Sequence, residues 1–222
     1  LANRATLSPA ETRGLALFAG KANCTACHPH QKGEDGAPPL FTDFTYDNVG
    51  APRNVVNPFF QQAAEFNPDG AKYRDLGIGA IVKQPEHHGK VKVPTLRNVA
   101  KRPNPHFVKA YLHNGVLKDL KEVVHFYNMR DVTPDAFDPP DVPENINTDE
   151  LGRLGLTDAE ENDLVAFLET LSDGYAGTLS PPKPLPPQVS GGTFPAVRDA
   201  LRVDRLIRHR TATGVRDGTI PL

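Results

Sequence analysis

An all-α, loop-rich fold with a Pro-rich extended C-terminal tail is what the sequence predicts, on three observations. Ser8-Pro9-Ala10-Glu11 and Thr157-Asp158-Ala159-Glu160 both have the S/T-x-x-E pattern, in which cap and third residue satisfy each other's backbone N–H groups, and apolar residues follow at helical spacing. A further stripe, Leu117, Leu120, Val124 and Tyr127, recurs at the same period. No alternating apolar run of strand length competes with these.

The first helix is expected to open at Ser8, carry Pro9 in its first turn, bury Leu15, Phe18 and Ala19, and stop at Gly20. From His30 to Val93 the chain reads mostly as loop, with one short helix from Asn57-Pro58 through Phe66 that Asn67-Pro68-Asp69-Gly70 closes. Helical segments are expected again from Thr95 (TLRNVA) and from Phe107 to Leu112, ahead of the Leu117–Tyr127 stripe. Pro134 to Asn147 is an acidic, Pro-rich loop. Its Asp135, Asp138 and Asp141 lack the spacing of a known calcium loop and are expected to be solvated. The last helix opens at Thr157, buries Leu164, Phe167, Leu168 and Leu171, and ends at Gly174.

After Tyr175 the composition changes. Five prolines between 181 and 187 make a stiff spacer, and a short basic helix over 197–208 follows, with Leu201 and Leu206 among arginines. The expected division is a domain over 1–178 and a docking tail over 179–222, through which the chain joins a hetero-oligomer. With 25 basic and 27 acidic residues, the formal charge of −2 gives no reason to expect nucleic acid or an anionic membrane as partner. No apolar run is long enough to span a bilayer as a helix.

Cys24-Thr25-Ala26-Cys27-His28 holds the only two cysteines of the chain. In a C-x-x-C-H run the thiols add across the vinyl groups of a haem and the histidine supplies an axial ligand to its iron. Other uses fit worse. Structural zinc wants four Cys/His ligands, and beyond His30 no second pair exists. A redox dithiol belongs in a βαβ context, and a disulfide across two residues closes too short a loop to stabilise much. One covalent haem c is therefore expected on Cys24 and Cys27, with His28 on the iron. The porphyrin also supplies apolar surface to a chain that has 7% aromatic residues and no Trp. Covalent attachment points to the periplasm or another extracytoplasmic compartment, so Leu1 reads as a processed start.

The blocks LSPAETRGLALFAGKANCTACH, PLFTDFTYDNVGAP, KVPTLRNVA, YLHNG, KEVVHFY and LTDAEENDLVAFLETL, in this order, resemble the C-terminal, electron-accepting domain of bacterial dihaem cytochrome c peroxidases. The related dihaem enzyme of methylamine utilisation shares them, and the resemblance covers residues 7 to 175. It implies an electron-transfer haem, because in those enzymes peroxide reacts at the other, N-terminal haem. It also implies a histidine near the haem, here His113, expected to hydrogen-bond rather than ligate. Those enzymes bind calcium between their domains; Val108 and Ala110 stand where a Thr and a Pro align. Arg97, in PTLRN, is a candidate partner for a haem propionate, since guanidinium binds carboxylate bidentately. His87, His88 and His106 fall in loops, and His125 on a helix surface.

The second axial ligand has two candidates. Met129 is the only methionine, and a thioether raises the potential of a haem. The register of the resemblance instead points to Tyr127, with a tyrosine ligand as in the methylamine-utilisation enzyme. Two residues along a helix turn a side chain by about 200°, so both face the iron only if the helix breaks between them. Met129 stands first, on a turn expected near Asn128; a different ligand or an open site is the remaining choice. The expected function is one-electron transfer, to a redox partner protein or a catalytic subunit. The alternatives are a haem peroxidase or oxidase with a site that opens, and a haem sensor.

Overall fold

The computed structural model describes residues 6–33, 36–104, 106–133 and 136–174. The predicted tail, 179–222, lies outside them. Both capping boxes form. In helix α1 (Pro9–Ala19) Ser8 N donates to Glu11 Oε2 at 2.6 Å and Glu11 N donates to Ser8 Oγ at 3.3 Å. In α4 (Asp158–Thr170) Thr157 and Glu160 exchange the same two bonds. Each cap replaces N–H partners that a helix start otherwise lacks, worth about 1 kcal/mol.

The two terminal helices pack on each other at Gly14. A Cβ there would lie 2.0 Å from the Asp163 carbonyl oxygen, so only glycine permits this approach. Arg13 grips Asp163 with two bonds of 2.6 and 2.7 Å beside the crossing, and Lys21 pairs with Glu160 further along. Beneath them Phe18, fully buried, meets the Phe167 ring at 5.2 Å and the Phe41 ring at 6.1 Å.

Helix α3 (Leu120–Met129) carries the predicted stripe, but it starts later than the stripe does. Asp119 and Glu122 form a capping box of their own, so Leu117 precedes the helix and pairs with Tyr111 through an isolated antiparallel bridge. A five-residue helix α2 (Ile78–Val82) and a two-residue ladder of β1 (Tyr46–Asp47) with β2 (Val91–Lys92) were not expected. Elements this short show no periodicity, and they make a strict all-α description incomplete.

Other expected helices shrink or vanish. The segment from Pro58 forms a single 3-10 turn, Pro58–Gln61, capped by the Asn57 side chain. Residues 95–100 form turns, because Thr95 Oγ1 takes the Arg97 N–H and Asn98 sits at a φ of 61°. Residues 107–110 form no helix, and Leu112 sits at a φ of 62°. Asp141, expected in solvent, is 9% exposed and holds Arg53 at 2.6 Å.

Candidate haem site

The haem-binding run leaves α1 in one 3-10 turn, Cys24–Ala26, which Asn23 enters at a φ of 52°. The turn is closed by His28 N donating to Cys24 O at 2.9 Å and is anchored outward by Asp43 N donating to Cys27 O at 3.0 Å. His28 Nδ1 lies 2.7 Å from Phe41 O. That carbonyl accepts only from a protonated Nδ1, which leaves the Nε2 lone pair for a metal. Phe41 itself has a φ of 55°, a conformation that costs a bulky L residue about 1–2 kcal/mol, and its buried ring against Phe18 holds it there. The strained residue is the one that orients the His28 ring.

His28, Cys24 and Cys27 open onto a cavity of 530 Å³, inside the range of about 300–1,000 Å³ typical of cofactor pockets. Its walls are largely aliphatic: Val123 and Val124 from α3, Leu151 and Leu154 from the segment before α4, Leu96 and Val99 from the turn before residue 100. Burial raises the Cys24 thiol to about 12. The Cys27 thiol is raised to about 11, by burial first and then by the carboxylates of Glu150, Asp47 and Asp43. Both are thus protonated at neutral pH. Burial lowers the His28 pKa against the opposing Phe41 bond, favouring the neutral imidazole a metal needs. Two thiols at one rim, a neutral imidazole with one nitrogen committed, and an apolar slot together fit a covalently attached haem.

Tyr127 lines this cavity and Met129 is not among the residues that do. The physical reason lies in α3, which does not break at Asn128. The helix runs through Met129, and Arg130 continues in helical geometry with its N–H on Phe126 O at 3.0 Å. The turn that would swing Met129 inward is absent, so the two side chains diverge. Burial first, then nearby thiol and carboxylate charge, hold the Tyr127 phenol well above its ordinary pKa.

Arg97 and His113 also line the cavity. Arg97 donates through Nη2 to Asp173 at 2.7 Å, so its charge is already paired. His113 is exposed and faces a second, smaller cavity as well. At the Cys27 rim, Asn147 Nδ2 donates to Asp47 and to Glu150, both at 2.6 Å, gathering two carboxylates beside the thiol. Phe41, whose carbonyl orients the His28 ring, carried no signal in the sequence.

No protein-family model matches the chain. It is 35% identical over 182 residues to the cytochrome-c peroxidase IdrP1 of Denitromonas iodatirespirans, across 77% of this chain and 42% of that protein. It is 35% identical over 179 residues to the methylamine utilization protein MauG of Paracoccus denitrificans, across 75% and 43%. The fold matches the diheme peroxidase BthA of Burkholderia thailandensis with a TM-score of 0.60 at 35% identity, across 78% of this chain and 45% of that one. The chain is a domain related to the dihaem cytochrome c peroxidases and MauG. These relatives support haem c as the cofactor of the domain. The chain spans less than half the length of the relatives it matches.

Proposed function

We propose that this chain carries one electron-transfer haem c, attached at Cys24 and Cys27 and ligated by His28 and Tyr127. The observation that supports it is the shared cavity, lined by His28 and Tyr127 but not by Met129. A bound haem supplies a one-electron ferric/ferrous couple. The residues around it do the rest. Phe41 O holds the His28 ring, the α3 backbone fixes Tyr127, and the aliphatic walls would keep water from a bound metal. With His28 and Tyr127 both holding a bound haem, no open site would be left for peroxide, and the haem would serve to carry electrons.

Peroxide reduction then belongs to a larger assembly, with a second haem domain or a separate redox protein as partner. The named relatives, cytochrome-c peroxidases and a diheme peroxidase, support that placement. An extracytoplasmic location follows from covalent haem attachment, and among the described residues no helix is long and apolar enough to cross a membrane.

Absorption and EPR spectra of the ferric holoprotein test the ligand pair. Tyr127→Phe is expected to shift the ferric spectrum and change its spin state, whereas Met129→Ala leaves both unchanged. A near-infrared sulfur-to-iron band that disappears in Met129→Ala would refute the assignment.

A further inference from the structure

Lys109 lies on the wall of the haem cavity beside Ala110 and Tyr111. Its ammonium is held by three main-chain carbonyls of one turn: Nζ donates to Asn98 O at 3.2 Å, Val99 O at 2.6 Å and Lys101 O at 3.0 Å. Val99 O accepts a second bond, from Tyr111 Oη at 3.2 Å, and the ammonium stands 5.7 Å from the Tyr111 ring centroid. The charge is thus tethered by dipoles, not by a carboxylate.

That distinguishes it from the other cations on the same cavity. Arg97 is neutralised by Asp173 at 2.7 Å. Lys92 also donates to a single carbonyl, Val93 O at 3.0 Å, but it is exposed, with its Nζ 4.7 Å from the Phe44 ring centroid, where water and salt screen its field. Lys109 is partly buried, and burial together with the neighbouring Arg102 lowers its pKa. Carbonyl oxygens carry partial negative charge but no net charge, so a whole positive charge remains close to the haem.

We infer that Lys109 raises the reduction potential of the haem, acting as a fixed positive charge on the cavity wall. Reduction adds one electron to the centre, and a nearby cation favours the state that holds it. The carbonyl cage supplies the positioning, since three acceptors keep a flexible side chain at one place. The inference rests on a haem occupying the cavity and is independent of which residue is the sixth ligand.

Redox titration of the full-chain holoprotein, followed in the visible bands, tests it with Lys109→Gln and Lys109→Arg. Lys109→Gln is expected to shift the ferric-to-ferrous ratio at fixed applied potential about tenfold toward ferric, about 59 mV lower for one electron. Lys109→Arg keeps the charge and is expected to keep the parent potential, with the spectrum unchanged in both. A merely structural contact would not separate these two variants. A shift below about threefold for Lys109→Gln (about 28 mV), or an equal shift for Lys109→Arg, overturns the inference. Where Lys109→Gln yields no holoprotein, Lys109→Met is read by the same thresholds. Pyridine haemochrome content separates the two failures: absent haem in the parent protein refutes the cofactor assignment, and bound haem at an unshifted potential in the variant refutes the role of Lys109.

Discussion

Asn128 and Tyr127 are adjacent in α3, about 100° apart around the helix axis. Tyr127 looks into the cavity, while Asn128 is 1% exposed and bonds behind it. Asn128 Nδ2 donates to Leu156 O at 2.9 Å and to Glu161 Oε1 at 2.7 Å, and its Oδ1 accepts from Leu156 N at 2.9 Å. The segment so held also donates Gly152 N to Tyr127 O at 2.7 Å, and it brings Leu151 and Leu154 to the cavity wall. Asn128 therefore positions the phenol from the rear. Asn128→Ala leaves Glu161 and the Leu156 backbone short of partners in a dry site, at a cost of about 1–3 kcal/mol. A lower urea midpoint at unchanged slope is the expected readout. His125 completes the same cluster, 3.0 Å from Glu161, so its placement on the surface of α3 does not leave it idle.

The crossing of α1 and α4 decides where the haem-binding run begins. Gly14 lets the two backbones touch, and Phe18, one turn later, reaches both Phe167 and Phe41. Phe41 in turn presents its carbonyl to His28, so the helix crossing and the ligand geometry share one aromatic contact. Gly14→Ala would set a methyl group against the Asp163 carbonyl and the Phe167 Cβ, and overpacking of this kind costs about 1–3 kcal/mol. The expected outcome is a lower denaturation midpoint and a lower yield of haem-loaded protein. Arg13→Ala removes only a partly exposed ion pair at the same crossing, worth about 0–1 kcal/mol, and is expected to change haem loading little.

Across the whole molecule, the parts that close the cavity come from both ends of the described chain. The turn after α1 brings the thiols and His28, and residues 150–154 with α4 complete the far wall. Asn98 N donates to Leu171 O at 2.8 Å and Asp173 N to Asn98 Oδ1 at 2.8 Å, tying the end of α4 to the wall turn. Truncation after Tyr175 is expected to leave the haem spectrum and the thermal midpoint unchanged, while weakening association with a partner protein. A large fall in the midpoint would assign the tail to the domain's own stability.

Local chemistry determined much of this protein from sequence alone. Cys24, Cys27 and His28 announce a haem because the reactive groups lie within five consecutive residues. The capping boxes at Ser8 and Thr157 announce their helices because cap and partner are three residues apart. The choice between Tyr127 and Met129 was not local. Both positions were readable as ligands, and what separates them is whether α3 continues past Asn128, which depends on Leu156, Gly152 and Glu161 roughly 25 to 33 residues away. Phe41 and Lys109 were invisible for the same reason. Their roles are set by a backbone carbonyl turned toward His28 and by three carbonyls turned toward one ammonium, and carbonyl directions exist only once the chain is folded.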